Sequence, residues 1–453
     1  MYNAYITRIK NLHKHPNADR LQIGECFGNA VIVSMDYEDN QLGVYFPSDG
    51  QVSLEFAEAN NLLRKKDDAG NNVGGYMDPD KRNVTAIKLR GEKSDGLFLP
   101  LKSLESFGDI TTLKEGDRID IFSGHEICRK YIPLKQHRQG GYSVGNKTHK
   151  KKVPVAPLFA EHADTEQLAY NLDAFRPDDE IEITLKMHGT SQRTGYLPVL
   201  KGYKRTFIDK ILHREGKPIY DWGYVSGTRR TVLESYDGGY YGDNAFREQH
   251  SKLFEGKLNK GESVYYEVVG FTTSGTPIMG NGDNKKLNDK DFIKQYGEVT
   301  QFSYGCAPNV GTTKDENGNI PCLPQSDIYV YRMTMTNEDG FVVEYTPDFM
   351  RYRCEQMGVK CVPEFAHVIL PNASYFDENH TVGEYVKEMA KQYYDGADPI
   401  GKTHIREGVV VRIVNRPKFC AYKYKNWYFK ALSGISLDNI NPDSIDSDIL
   451  SEM

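Results

Sequence analysis

No apolar run in this chain approaches the ~18 residues that a membrane-crossing helix needs, so the sequence predicts no spanning segment. Cysteine is sparse and scattered. Seven occur, at positions 26, 128, 306, 322, 354, 361 and 420, and none forms a C-x-x-C pair. An odd, dispersed set argues against a disulfide framework and against a zinc cluster. The opening Met1-Tyr2-Asn3-Ala4-Tyr5 has no basic stretch followed by an apolar core, so no signal peptide is expected. Net positive charge is also missing, since 57 Lys and Arg stand against 63 Asp and Glu. Any affinity for polyanions would have to come from cations concentrated locally. These absences predict a soluble protein of a reducing compartment, the cytoplasm or, for a viral chain, the host cytoplasm. Nothing points to an obligate protein partner.

What is present is enough chain for two to three domains at ~150 residues each. Residues 1–125 read as short strands and turns. Ala30-Val31-Ile32-Val33 and Gln41-Leu42-Gly43-Val44-Tyr45-Phe46 are strand candidates. Pro16-Asn17-Ala18-Asp19 and Pro47-Ser48-Asp49-Gly50 are turn signals. Val84 to Gly91 alternates and ends in glycine, and this spacing suggests a small antiparallel barrel. Residues 126–152 read as a basic linker. Arg129, Lys130, Lys135, Arg138, Lys147, Lys150, Lys151 and Lys152 occur there with no acidic residue from 129 onward. That pattern suits either a solvated connector or a phosphate-contacting arm. Gly140 to Thr148 nearly spells a P-loop, but Asn146 separates Gly145 from Lys147, and no strand precedes it. Asp164 or Thr165 is expected to cap a helix running to Leu172. From 153 to 432 strands and helices alternate, which predicts a mixed α+β domain. Gly280–Asp291 and Thr312–Asn319 read as surface loops. The serine- and aspartate-rich tail, 433–453, reads as flexible.

The densest chemistry lies in Lys186-Met187-His188-Gly189-Thr190-Ser191, after the alternating run Ile181-Glu182-Ile183-Thr184-Leu185. A lysine ending a buried strand is poorly hydrated. Desolvation and neighbouring cations favour its free amine, which can act as a nucleophile. On the tetrapeptide alone a surface lysine before a turn is the better reading. Downstream, however, stand Ser226-Gly227-Thr228-Arg229, Tyr265-Tyr266-Glu267-Val268-Val269-Gly270, Tyr329-Val330-Tyr331-Arg332, Arg406-Glu407-Gly408-Val409-Val410-Val411 and Lys423-Tyr424-Lys425-Asn426. In order and spacing this series resembles the motif set of the covalent nucleotidyltransferases, the ligases and capping enzymes. It looks most like the nick-sealing, ATP-dependent RNA ligases, which can carry histidine after the nucleophile and end in K-x-K-N. His15 to Leu21, with Lys88-Leu89-Arg90-Gly91 and Ser94-Asp95-Gly96-Leu97, is similar to OB-type modules that bind tRNA, though each residue could equally be a barrel corner. Too few residues follow Lys425 for the C-terminal OB domain of DNA ligases and capping enzymes, which disfavours both.

The resemblance implies an α+β fold: an N-terminal OB-type β-barrel, then a mixed α/β nucleotidyltransferase domain. It implies ATP, a covalent lysyl-AMP at Lys186, Mg2+ or Mn2+, and RNA or a nicked duplex with an RNA-like 3′-hydroxyl end as partner. Leu185, His188 and Gly189 would line the nucleotide beside the nucleophile. Lys423 and Lys425, on one face of a strand, would neutralise the α-phosphate, the alternative being a lysine-protected edge strand. Glu267 would bind the ribose hydroxyls. Tyr331 would stack on adenine, the alternative being core packing. Arg332 stands where many such ligases have an acid. Arg229 would contact the ribose or the nick's 3′ end, with adjacent Arg230 left open. Glu407 would hold a hydrated divalent ion, mostly through water, the alternative being an ion pair with Arg406 or Arg412. Rival readings are an RNA-binding protein without catalysis, a capping enzyme and a DNA ligase.

Overall fold

The computed structural model describes residues 2–70, 72–132, 153–211, 216–236, 241, 244–308 and 323–439. The predicted basic residues from Lys135 to Lys152, the near P-loop, the Thr312–Asn319 loop and residues 440–453 lie outside them. Among the described residues no helix is long and apolar enough to cross a membrane. Their cysteines are free thiols.

The described residues up to 132 are mostly short strands, as the turn signals predict, with one short helix, Leu54–Ala59. Ala4–Arg8, Leu42–Phe46, Leu97–Pro100 and Arg118–Ile119 form one four-stranded sheet. Lys10–Lys14, Leu21–Cys26 and Asn29–Ser34 form a second, and Cys128–Lys130, Gly50–Val52 and Asn83–Val84 a third. Ile6, Val44, Phe46 and Phe56 are fully buried between them. Among the described residues the sheets stay separate and no closed barrel forms. The ladder breaks at Ile9, and a register shift follows between Lys10 and His13. The two stretches that resemble OB-type modules meet: His15 Nε2 is 3.1 Å from Leu89 O, and Asn17 Nδ2 donates to Arg90 O at 2.9 Å.

From 166 onward two larger sheets face each other. The first orders Glu166–Gln167, Cys420–Lys425, Gly408–Ile413, Glu180–Lys186 and Glu364–Ile369. The second orders Lys217–Gly227, Thr190–Lys204, Glu262–Gly270, Ser326–Thr336 and Val342–Glu344. In the Glu180–Lys186 strand Ile181 and Ile183 bury against Val386, Val409 and Val411, while Glu182, Thr184 and Lys186 line a cavity. This is the period-two division that the sequence predicts. After Lys186 the chain turns and enters the second sheet at Thr190. Lys186 therefore sits at the crossover between the sheets.

Three local expectations are corrected. The helix expected from Asp164 to Leu172 is instead a strand, Glu166–Gln167, followed by 3-10 turns. Glu166 and Gln167 pair in parallel with Tyr422 and Lys423, and the Asp164 carboxylate pairs with arginines rather than capping. The expected Gly280–Asp291 loop is structured: Asp283 caps the Asn284–Leu287 turn and Asp289 caps the Lys290–Tyr296 helix, its Oδ1 accepting from Phe292 N at 3.1 Å. The structured region does not end at Leu432. The Trp427–Asn439 helix carries on, with Asn426 Oδ1 accepting from Tyr428 N and with Ala431 and Leu432 buried against Leu287 and Phe292.

The N-terminal strands are tied to the rest by polar contacts. Lys88 meets Asp289 at 2.9 Å, Lys430 meets Asp95 at 2.6 Å, and Arg118 donates to Tyr170 O at 2.8 Å.

Candidate active site

Strand register builds the site in rows. Lys186 lies opposite Gly408, which lies opposite Lys425. One row deeper come Thr184, Val410 and Lys423, and below them Glu182, Arg412 and Ala421. Gly408 has φ +149°, and a Cβ there would strike the Tyr424 carbonyl. The glycine lets three strands close up just where the preceding residue, Glu407, turns its carboxylate inward.

Glu407 is buried, with Oε1 2.8 Å from Lys186 Nζ and 3.4 Å from Lys425 Nζ. Its other oxygen, Oε2, accepts no hydrogen bond from a described residue, and His188 Nδ1 stands 3.8 Å away. Burial opposes the charge, yet Lys186, Lys425 and His188 together hold the carboxyl at about 2. The alternative partners are engaged elsewhere. Arg406 donates to Ala397 O and Tyr393 O, and Arg412 donates to Tyr345 O at 2.7 Å.

Burial, then Lys425, Lys186 and Lys130, push the Lys423 ammonium down to about 7. Lys130 comes from the N-terminal strands, and burial with Lys425 and Arg229 brings it to about 8. The sequence puts it in the expected basic linker, and its place beside Lys425 cannot be inferred from spacing.

His188 is wedged edge-on between Phe302 and Phe429, with ring centroids at 4.6 and 4.8 Å, and its backbone N–H donates to Tyr304 Oη at 2.7 Å. Burial drives its imidazole down to about 3, with Lys186, Lys425 and His404 adding to that and Glu407 opposing it. It is neutral at physiological pH. Gly189 passes against the Val268 carbonyl with no room for a side chain, and its N–H donates to Glu267 Oε1 at 3.1 Å.

The far wall comes from the second sheet. A register shift makes Tyr331 the extra residue of a bulge between Val330 and Arg332, which re-aims one side chain. Tyr331 reaches the cavity rim, its hydroxyl 2.8 Å from Ser191 Oγ. Arg332 turns away to Glu344, with Nε 2.9 Å from Oε2. Asp164 holds both candidate arginines, but the side chain of Arg229 is 10% exposed and lines the cavity while that of Arg230 is 50% exposed. Leu185, Glu267 and Lys423 share that cavity. His188, Gly189, Glu407 and Lys425 stand just beyond its lining. The sequence reading missed His162, whose ring lies edge-on to Tyr331 at 5.1 Å, and Tyr304, the support of His188. Neither carries a local signal. It also passed over Glu182 and Arg412, which alternation from Lys186 and Gly408 would have found.

The two facing sheets, with Lys186 at their crossover, have a fold similar to that of solved RNA ligase structures. The RNA ligase of Naegleria gruberi, in a structure with pyrophosphate, matches with a TM-score of 0.53 at 17% identity, over 94% of this chain and 97% of that one. Structures of two variants of that ligase, one with ATP and manganese and one with AMP and manganese, each match with a TM-score of 0.51 at 16% identity. Each of those matches covers 97% of this chain and 99% of the other. At this identity the likeness is one of fold. No family model matches the chain, and no curated protein matches its sequence.

Proposed function

We propose that this chain is an ATP-dependent RNA ligase that seals 3′-hydroxyl/5′-phosphate breaks, nicks in a duplex above all, by way of a lysyl-AMP at Lys186. The observation that carries this reading is the convergence of Lys186, Lys425 and Glu407 at the mouth of a cavity lined by Lys423, Arg229, Glu267 and Tyr331. Lys186 Nζ forms a bond to the α-phosphorus of ATP as the bond to pyrophosphate breaks. An RNA 5′-phosphate oxygen then attacks the same phosphorus and the lysine leaves. Finally the 3′-hydroxyl attacks the activated RNA phosphate and AMP leaves. Each transfer depends on positioning and on neutralising phosphate charge. Lys423 and Lys425 supply that charge. Glu267 is placed to accept from ribose hydroxyls, and Tyr331 and Val410 to stack on the base.

Among the described residues no three His, Cys, Asp or Glu groups cluster as a metal cage. The unpartnered Oε2 of Glu407 nonetheless fits a hydrated Mg2+ or Mn2+, which needs one protein oxygen and keeps its waters. Such an ion would supply charge neutralisation on the phosphates. On this reading residues 1–132, which include the Cys128–Lys130 strand, serve as an OB-type nucleic-acid-binding module and residues 153–439 as the adenylation domain. The setting would be cytoplasmic.

The test is sealing of a nicked duplex with ATP and Mg2+ or Mn2+, with RNA or DNA at the 3′ end. Joined product from an RNA 3′ end, absent with Lys186→Ala, is the expected result. No joining with either end would contradict it.

A further inference from the structure

One arm of the molecule leads away from the nucleotide cavity. Strands Thr190–Lys204 and Lys217–Gly227 pair with each other from end to end. The neighbouring strand Glu262–Gly270 accompanies only Thr190 to Gly195, so from Tyr196 onward the hairpin runs on as a two-stranded arm. Thr228 and Arg229 follow its base, and Arg229 lines the cavity. From Arg229 to Lys217 an extended chain reaches about 40 Å, the length of roughly a dozen nucleotides in a duplex strand.

The far end of the arm carries charge that the fold does not use. Lys204 and Lys217 lie directly opposite each other in the strand register, and both are exposed. Like charges placed opposite each other repel and cost stability. Arg205 follows, also exposed. A register shift makes exposed Lys201 the extra residue of a bulge, which re-aims its side chain. The acids nearby are turned to backbone groups: Asp209 Oδ2 accepts from Thr206 N at 2.9 Å, and Asp221 Oδ1 from Trp222 N at 2.8 Å. Beside the cations, the helical turn Phe207–Ile211 leaves Phe207 78% and Ile211 60% exposed, four residues apart and so on one side. Ile219, on the returning strand, is 46% exposed. A monomer has no use for bare apolar side chains grouped among unneutralised cations. Nucleic acid suits both, because its phosphates quench the repulsion and its bases offer flat apolar faces.

We infer that this arm grips the RNA flanking the break, with Lys204, Arg205 and Lys217 on its phosphates and Phe207 against a base. This rests on the RNA-ligase reading above and deepens it. The arm acts on the polynucleotide and leaves the nucleotide alone, so it serves the sealing of RNA and has no part in labelling of Lys186 by ATP. A second copy of this chain seated on the same tip would bring two such lysine pairs together, so charge favours the polyanion.

The test uses the full chain, a triple variant (Lys204→Ala, Arg205→Ala and Lys217→Ala together) and, separately, Phe207→Ser. Each is titrated with nicked RNA duplexes closed by loops, with flanks longer or shorter than the arm, about 20 against about 6 base pairs. The unaltered chain should hold the long flanks roughly tenfold tighter than the short ones. On long flanks the triple variant should bind roughly tenfold more weakly, and its plot of log affinity against log salt should be shallower by about two. Phe207→Ser should weaken binding about fivefold with the slope unchanged. Both should label with ATP within about twofold of the unaltered chain, and both should match it on short flanks. A folded triple variant with unchanged affinity and slope overturns the inference, as does an equal loss on short flanks. If that variant does not fold, equal affinity of the unaltered chain for both flank lengths overturns it. A dimer lost in Phe207→Ser, with RNA affinity kept, gives the tip to a second copy and overturns it as well. Arm-dependent RNA binding by a chain that takes no label from ATP overturns the ligase reading alone.

Discussion

Glu262 and Glu407 are both almost wholly buried, at 1% and 2% exposed, and both carboxyls are held below their usual range. Their surroundings differ. Glu262 receives four donors: Arg353 Nε and Tyr345 Oη on Oε1, both at 2.9 Å, and Asn259 N at 2.7 Å and Arg353 Nη2 at 2.8 Å on Oε2. One guanidinium balances one carboxylate, and both oxygens are satisfied. Glu407 stands among Lys186, Lys425 and nearby Lys423, with one oxygen crowded by ammonium groups and the other unpartnered. The first cluster is complete without a ligand. The second has surplus cation and an open acceptor, which suits a polyphosphate and a hydrated ion. Satisfied buried charge builds the fold, and unsatisfied buried charge marks the place where something binds.

That contrast can be broken by substitution. Glu407→Gln should slow lysine adenylylation by about a hundredfold or more, read as label per unit time under saturating ATP. Glu262→Gln should act on stability, costing about 3–5 kcal/mol as a broken buried pair, while the surviving folded chain still labels. Urea unfolding of both variants separates the two effects. The acid limb sharpens the point. Glu262 has a lowered carboxyl, held there against its burial by Arg353, Asn259 and Tyr345. Its stabilisation is therefore present above the ordinary carboxylate range and lost as pH falls through the folded value. The Glu262→Gln chain should lose less stability on acidification than the parent.

Lys423 carries the opposite sign. Its ammonium is pushed from 10.5 down to about 7, first by burial and then by Lys425 and Lys186. The unfolded chain keeps a proton that the folded chain gives up. Folding thus bears the full cost below pH ~7, and the cost fades as pH rises towards 10. Lys423→Met should raise Tm at pH 6 and 7, with a gain that shrinks at pH 9, and it should lower labelling. A fall in Tm at pH 7 would mean that the lysine cluster is structural after all. The smallest contrast is between neighbours. Arg229→Ala should weaken ATP use by roughly tenfold, whereas Arg230→Ala, half exposed, should stay within about twofold, both read from rate against ATP concentration.

Much of this was legible before any coordinates. Alternation marked Ile181 to Leu185 as a half-buried strand ending at Lys186 and put Lys423 and Lys425 on one face of another strand, because a period of two is a local property. The mixed α+β class followed from the alternation of strand and helix patterns, while the division into two facing sheets did not. What escaped the sequence depended on distant partners. Asp164-Thr165-Glu166-Gln167 has the form of a helix cap, but a sheet edge at Tyr422–Lys423 and the guanidinium groups of Arg229 and Arg230 claim those groups. Gly280–Asp291 looked like a loop because its aspartates are polar, yet Asp283 and Asp289 are caps. Tyr304 supports His188 from 116 residues away, and Lys130 reaches the site from another sheet. The bulge at Tyr331 arises where Arg332 and Val330 pair with Tyr265 and Tyr266, which one strand's sequence cannot reveal.

The proposed chemistry turns on Lys186 as the nucleophile. Incubation of the chain with ATP and a divalent ion, followed by quenching and peptide mass mapping, tests it directly. The result predicted is an AMP adduct on the peptide containing Lys186, absent in Lys186→Ala. An adduct on Lys423 or Lys425 instead, or no adduct on a folded, metal-supplied chain, would contradict it.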